Sequence, residues 1–166
     1  MKIEFIDNLN FTIYLNKLYT SNMDLKKKDD LEDYFKNLFL KMKDLYDMPL
    51  SGYYTITIYL DKQYGAIIDI TKEDLEYFDY FGGQIDMRIA ILDNIFLYQV
   101  KDIDSLKQQI PYGIVYQYKN DFYLELKKQI KDALYLDLLE WSNIVYKENT
   151  KIIRKKGKKI KEEEYL

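Results

Sequence analysis

Apolar residues fall at every second position in the first stretch of the chain: Ile3 and Phe5, then Phe11, Ile13 and Leu15 beyond the Asn8-Leu9-Asn10 turn. A period of two is that of a half-buried strand, so two strands joined as a hairpin are expected. The polar connector "MDLKKKDD" follows, and Lys26-Lys27-Lys28 beside Asp29-Asp30 reads as solvated chain. Then the period changes. Leu31, Tyr34, Phe35, Leu38, Met42, Leu45 and Tyr46 recur at steps of three and four. That spacing predicts a helix capped by Asp29 or Asp30, with one apolar face as far as Tyr46, ended by Pro49 and Gly52. "YYTITIYL" (53–60) and "AIIDIT" (66–71), separated by "DKQYG", predict a second hairpin.

"KEDLEYFDYFGGQ" (72–84) reads as an acidic connector ending at Gly82-Gly83. Its Glu73, Asp74, Glu76 and Asp79 lack the oxygen order and central glycine of a calcium loop, so a solvated face is expected. The glycine pair lacks the spacing of a phosphate loop and reads as a linker turn. Further on, "IDMRIAIL" and "IFLYQV" predict strands around Asp93-Asn94, and "DIDSLKQQI" a short helix halted by Pro111. "GIVYQY" and "DFYLEL" predict a hairpin about Lys119-Asn120, followed by an apolar helix from Lys131 to Trp141 and a last helix from about Thr150. Short strands and helices in this order give an α+β fold: two small helix-plus-β-hairpin units with mainly antiparallel sheets. The expected boundaries are 1–72 for the first unit, 73–85 for a connector and 86–166 for the second unit.

Composition then narrows the chemistry. The chain has 166 residues, 48% hydrophobic, with 18 Tyr and 8 Phe, enough apolar material for a core in one or two small domains. It contains neither Cys nor His. Disulfides, thiol nucleophiles, imidazole acid–base chemistry and the common zinc sites are thereby excluded. Carboxylates could still hold Mg²⁺, but no spaced acidic constellation is visible, so neither catalysis, metal nor cofactor is expected. No run approaches the roughly 18 apolar residues of a spanning helix, and the first residues lack a leader's apolar core. A cytoplasmic protein without a membrane partner is the expectation.

Charge raises one competing idea. The net charge is -3, yet seven of the twelve residues from Lys151 to Glu162 are Lys or Arg. Arg154, Lys155, Lys156, Lys158 and Lys159 are therefore candidate contacts for a polyanion, with the Tyr-bearing strands stacking on bases. Against nucleic acid stand Glu162, Glu163 and Glu164, which follow at once, and the Ile152, Ile153 and Ile160 that interrupt the run. A helix end packing its isoleucines inward fits the same residues better.

Two groups of motifs resemble a known family. "MKIEFIDNLNFTIYLNK", "LEDYFKNLFLKMKDL" and "YYTITIYLDKQYGAIIDITK" resemble the N-terminal domain of MecA, the bacterial adaptor of a Clp-type unfoldase, through Glu4, Phe35, Leu38, Gly65, Ile70, Thr71 and Lys72. "FLYQVKDIDSLKQQI", "YQYKNDFYLELKK", "LLEWSNIVY" and "KKGKKI" resemble its C-terminal domain through Phe96, Asp102, Leu106, Tyr116, Tyr118, Phe122, Tyr123, Leu124, Leu139, Gly157, Lys158 and Ile160. The resemblance implies a non-enzymatic adaptor whose first unit holds protein clients and whose second docks the unfoldase for regulated proteolysis. This chain is shorter, with a brief connector where the family has a long acidic linker. The family's second domain is acidic where this chain has "KKQIKDALYLD", which leaves Asp121, Glu125, Asp137 and Glu140 as the expected docking residues.

Overall fold

The computed structural model describes residues 1–25, 27–47, 51–73, 85–101 and 113–162. The fold is α+β, with two mainly antiparallel five-stranded sheets. The helix expected over 102–110, the Gly82-Gly83 turn and most of the acidic connector lie outside the described residues. The chain forms two compact units, one of Met1–Leu60 with Tyr64–Leu92 and one of Asp61–Gln63 with Asp93–Leu166.

In the first unit, β1 (Lys2–Phe5) and β2 (Asn10–Asn16) form the expected hairpin, pairing Ile3 with Ile13 and Phe5 with Phe11. A short turn of helix, α1 (Lys17–Thr20), is started by Asn16, whose side-chain oxygen accepts from the Leu18 and Tyr19 N–H groups. The long helix α2 (Lys28–Tyr46) follows. Its N-cap is Lys27, and Asp29 and Asp30 lie inside the first turn, where their charge favours the helix dipole instead of capping it. The second hairpin is β3 (Gly52–Asp61) and β4 (Gly65–Glu73), and β5 (Ile85–Asp93) completes the sheet in the order β1-β2-β4-β3-β5.

Register explains the core. Phe11, Ile13 and Leu15 lie opposite Ile70, Ile68 and Ala66, so alternate positions present one apolar face. With Tyr54, Ile56 and Ile58 of β3 and Met87 of β5, that face packs on Leu31, Phe35, Leu38, Phe39 and Met42 of α2. Leu45 and Tyr46, which share the helix's apolar period, are exposed instead. At the β3–β4 turn Gly65 has φ +123°, and a Cβ there would lie 2.5 Å from the Leu15 carbonyl oxygen. Only glycine meets both demands.

Because β5 belongs to this first sheet, the long run of the second unit begins at Asp93, where the strand pattern alone suggested 86. Its sheet runs β10-β7-β8-β6-β9: β6 (Leu97–Val100), β7 (Gly113–Tyr118), β8 (Asp121–Leu126), β9 (Ser142–Val145) and β10 (Lys158–Glu162). Helix α3 (Asp132–Trp141) precedes β9, and α4 (Glu148–Lys156) precedes β10. Ile153 of α4 packs with Leu97, Ile114, Tyr116 and Tyr123 on one face of the sheet. Tyr98, beside Leu97 in β6 and so on the opposite face, shares a 2.8 Å hydroxyl–hydroxyl hydrogen bond with Tyr135 of α3. The final helix stops at Lys156; after Gly157 the chain becomes an edge strand paired with β7, interrupted by a register shift between Lys159 and Lys161. The expectation of helix throughout this segment therefore fails at Gly157, because edge pairing with β7 satisfies the backbone that continued helix would otherwise satisfy.

A candidate protein-binding groove

The tip of the first hairpin is built by Asp7. Its carboxylate accepts hydrogen bonds from the N–H groups of Leu9 and Asn10 at 2.7 and 2.8 Å and from the Asn10 side-chain amide. The Asn10 amide first, then the Leu9 N–H, hold this carboxyl below its usual range, so it stays ionised. With the turn fixed in this way, Phe5 and Leu9 stand on either side of it. The Lys72 N–H donates to the Leu9 carbonyl at 2.7 Å, tying the end of β4 to the same turn.

Helix α2 closes the third side. Asp47 ends it in a left-handed conformation at φ 51°, its N–H bonded to the Lys43 carbonyl. Tyr46, in the last turn, is half-exposed despite its core-like spacing, with its ring against Phe5 of β1. The result is a groove of about 620 Å³ whose floor is Phe11, Met42 and Tyr54, and whose walls are Phe5, Leu9 and Tyr46. Asp7, Asn8, Asp47 and Lys72 give it a polar rim. Burial raises the Tyr54 hydroxyl to about 12, so the floor is neutral.

The aromatic rings are in mutual contact from core to surface. Phe39 lies 4.6 Å from Tyr54 and 6.1 Å from Phe11, Phe11 is 5.8 Å from Phe5, and Phe5 is 5.4 Å from Tyr46. Phe39 is fully buried, whereas Phe5 is 41% and Tyr46 51% exposed. Aromatic walls braced in this way bind without first losing much side-chain entropy. Opposite them Gly52, at φ +151°, lies under the Lys72 stem: a Cβ there would sit 2.7 Å from Lys72 Cε.

The docking residues expected from the sequence separate into two kinds. Asp137 and Glu140 are exposed on α3. Spacings of three and four residues put them on one face with Leu136, 62% exposed, and Trp141, 45% exposed. Asp121 is exposed at the β7–β8 turn. Glu125, by contrast, is only 7% exposed. Its Oε2 accepts from the Tyr116 hydroxyl at 2.9 Å and meets Arg154 Nε at 3.1 Å.

That pairing also takes Arg154 out of the polyanion candidates' free charge. Lys155, Lys156, Lys158 and Lys159 are exposed. The last two lie on the edge strand β10, where lysine discourages pairing with another chain. Tyr98, Tyr116 and Tyr123 are buried, so their rings offer no face to a base.

Among the described residues no group of three carboxylates could hold a metal ion, and no helix is long and apolar enough to cross a membrane. Comparison with family models, curated proteins and solved structures finds no match. The groove itself was not read from the sequence. Its signal was present in Leu9 and Tyr46, apolar residues in a turn and at a helix end.

Proposed function

We propose that this protein is a non-enzymatic adaptor that holds a protein client on its first unit and docks a Clp-type unfoldase through its second. The observation that carries the reading is the braced aromatic groove, an apolar floor with a charged rim, which suits an anchoring side chain of a partner polypeptide. The resemblance to the MecA family supplies the second half of the reading, and the α3 face supports it. There Asp137 and Glu140 stand between Leu136 and Trp141, an acidic centre with apolar flanks. Binding two proteins on one chain raises the client's effective concentration at the unfoldase without breaking any bond.

A photo-crosslinking residue placed at Tyr46, and separately at Leu136, tests the division of labour in the native cell. Clients should be captured from Tyr46 and the unfoldase from Leu136. Identical adducts from both positions, or none from either, would remove the reading. The alternative, a nucleic-acid-associated regulator using Tyr-bearing strands and the basic segment, ranks second. Tyr98, Tyr116 and Tyr123 of its strands in the second unit are buried and its arginine is paired with Glu125.

A further inference from the structure

We infer that β5 is a self-pairing edge, through which two copies of this chain join by antiparallel β5–β5 pairing centred on Met87. The inference is independent of the adaptor reading. It begins with the way the other sheet edges are protected. β1 and β9 are four residues long, and β10 carries Lys158, Lys159 and Lys161 with a register shift. Short length, lysine and bulges are the devices that keep an edge from pairing. β5 has none of the first two: it is nine residues long, IDMRIAILD, and contains no lysine. Among the described residues, no strand lies beyond it in the sheet.

Its side chains are self-complementary in one register. Met87 is buried in the core, and Ile85 and Ile89 pack against the same core, so odd positions face inward. Asp86 and Arg88 are exposed on the other face, two residues apart. In a two-fold antiparallel pair centred on Met87, Asp86 of each copy lies opposite Arg88 of the other, and Ile85 lies opposite Ile89. Centring on Arg88 would set like charges against each other, and centring on Ile89 would place Asp86 opposite Leu92. Opposite charges directly across a strand pair stabilise, and like charges destabilise, so charge selects the Met87 register. Asp86 Oδ1 accepts from the Met87 N–H at 2.8 Å, leaving the other carboxylate oxygen to meet the arginine.

Sedimentation of the full chain tests this by exchange of charge. The wild type should approach twice its 20.2 kDa with rising concentration. Asp86→Arg and Arg88→Asp should each weaken self-association at least tenfold. An equimolar mixture of the two variants should recover the dimer, because all facing charges are then opposite, and the double variant should recover it alone. A wild type that stays monomeric overturns the proposal, as do single variants that dimerise normally. Failure of the mixture to recover the dimer overturns the register. Misfolding cannot mimic the expected result, since two misfolded chains would not restore it on mixing.

Discussion

Arg154 Nε lies 3.1 Å from Glu125 Oε2, joining the last helix of the second unit to the middle of its sheet. From the sequence these two residues belong to rival surfaces, one basic and one acidic. In the fold they are partners, and the Tyr116 hydroxyl donates to the same oxygen at 2.9 Å. Removing Arg154 leaves a buried carboxylate with one fewer donor. Arg154→Met should therefore cost about 1–3 kcal/mol, below the figure for a fully buried pair because the arginine is partly exposed. Tyr116→Phe should cost about 1 kcal/mol. Urea unfolding of the single variants and the double should show non-additive losses, since all three groups share one oxygen.

Alkaline pH should weaken the fold. Burial raises Tyr54 to about 12, burial and then the Glu4 carboxylate raise Tyr14 to about 12, and burial followed by Glu125 raises Tyr116. A folded-state value above the unfolded one means the native state holds its proton longer. The stabilisation is complete below about pH 10 and is lost as pH rises toward 12. Tyr54→Phe should flatten the fall of melting temperature over that interval; an unchanged slope would show that Tyr54 does not contribute to it.

Backbone geometry gives two opposed expectations. Gly65→Ala should destabilise by more than about 1 kcal/mol, because the new Cβ meets backbone at 2.5 Å and φ is +123°. Lys147, at φ 69° and ψ -155°, occupies a region suited to glycine. Lys147→Gly should stabilise by about 1 kcal/mol, read as a melting temperature higher by about 2–4 °C.

The groove can be emptied without unfolding the chain. Phe5→Ala and Tyr46→Ala remove half-exposed walls, so each should leave the melting temperature within a few degrees. Crosslinking of clients from the neighbouring Leu9 should fall at least tenfold in the double variant. Retained crosslinking would place client binding elsewhere.

Much of the fold was legible because period is a local property. The hairpins β1–β2, β3–β4 and β7–β8, with α2 and α3, follow directly from alternation and from steps of three and four. The assignment of β5 was not legible, since which sheet a strand joins depends on pairing far along the chain. The same limit hid the groove. Tyr46 continues the apolar face of α2 by spacing, but in the fold its ring meets Phe5 at the end of β1 and stays half-exposed. Of the positions on which the resemblance was read, Phe35, Ile70, Tyr116, Tyr123 and Leu124 are buried, whereas Glu4 and Lys158 are exposed. The buried five bear on packing.

The adaptor reading rests most directly on one measurement: the ATPase rate of a purified Clp-type unfoldase titrated with the full chain. The expected result is a saturable change in rate, reduced at least tenfold in apparent affinity by Asp137→Lys with Glu140→Lys. No change in rate at any concentration, together with no co-elution of the two proteins, would contradict it.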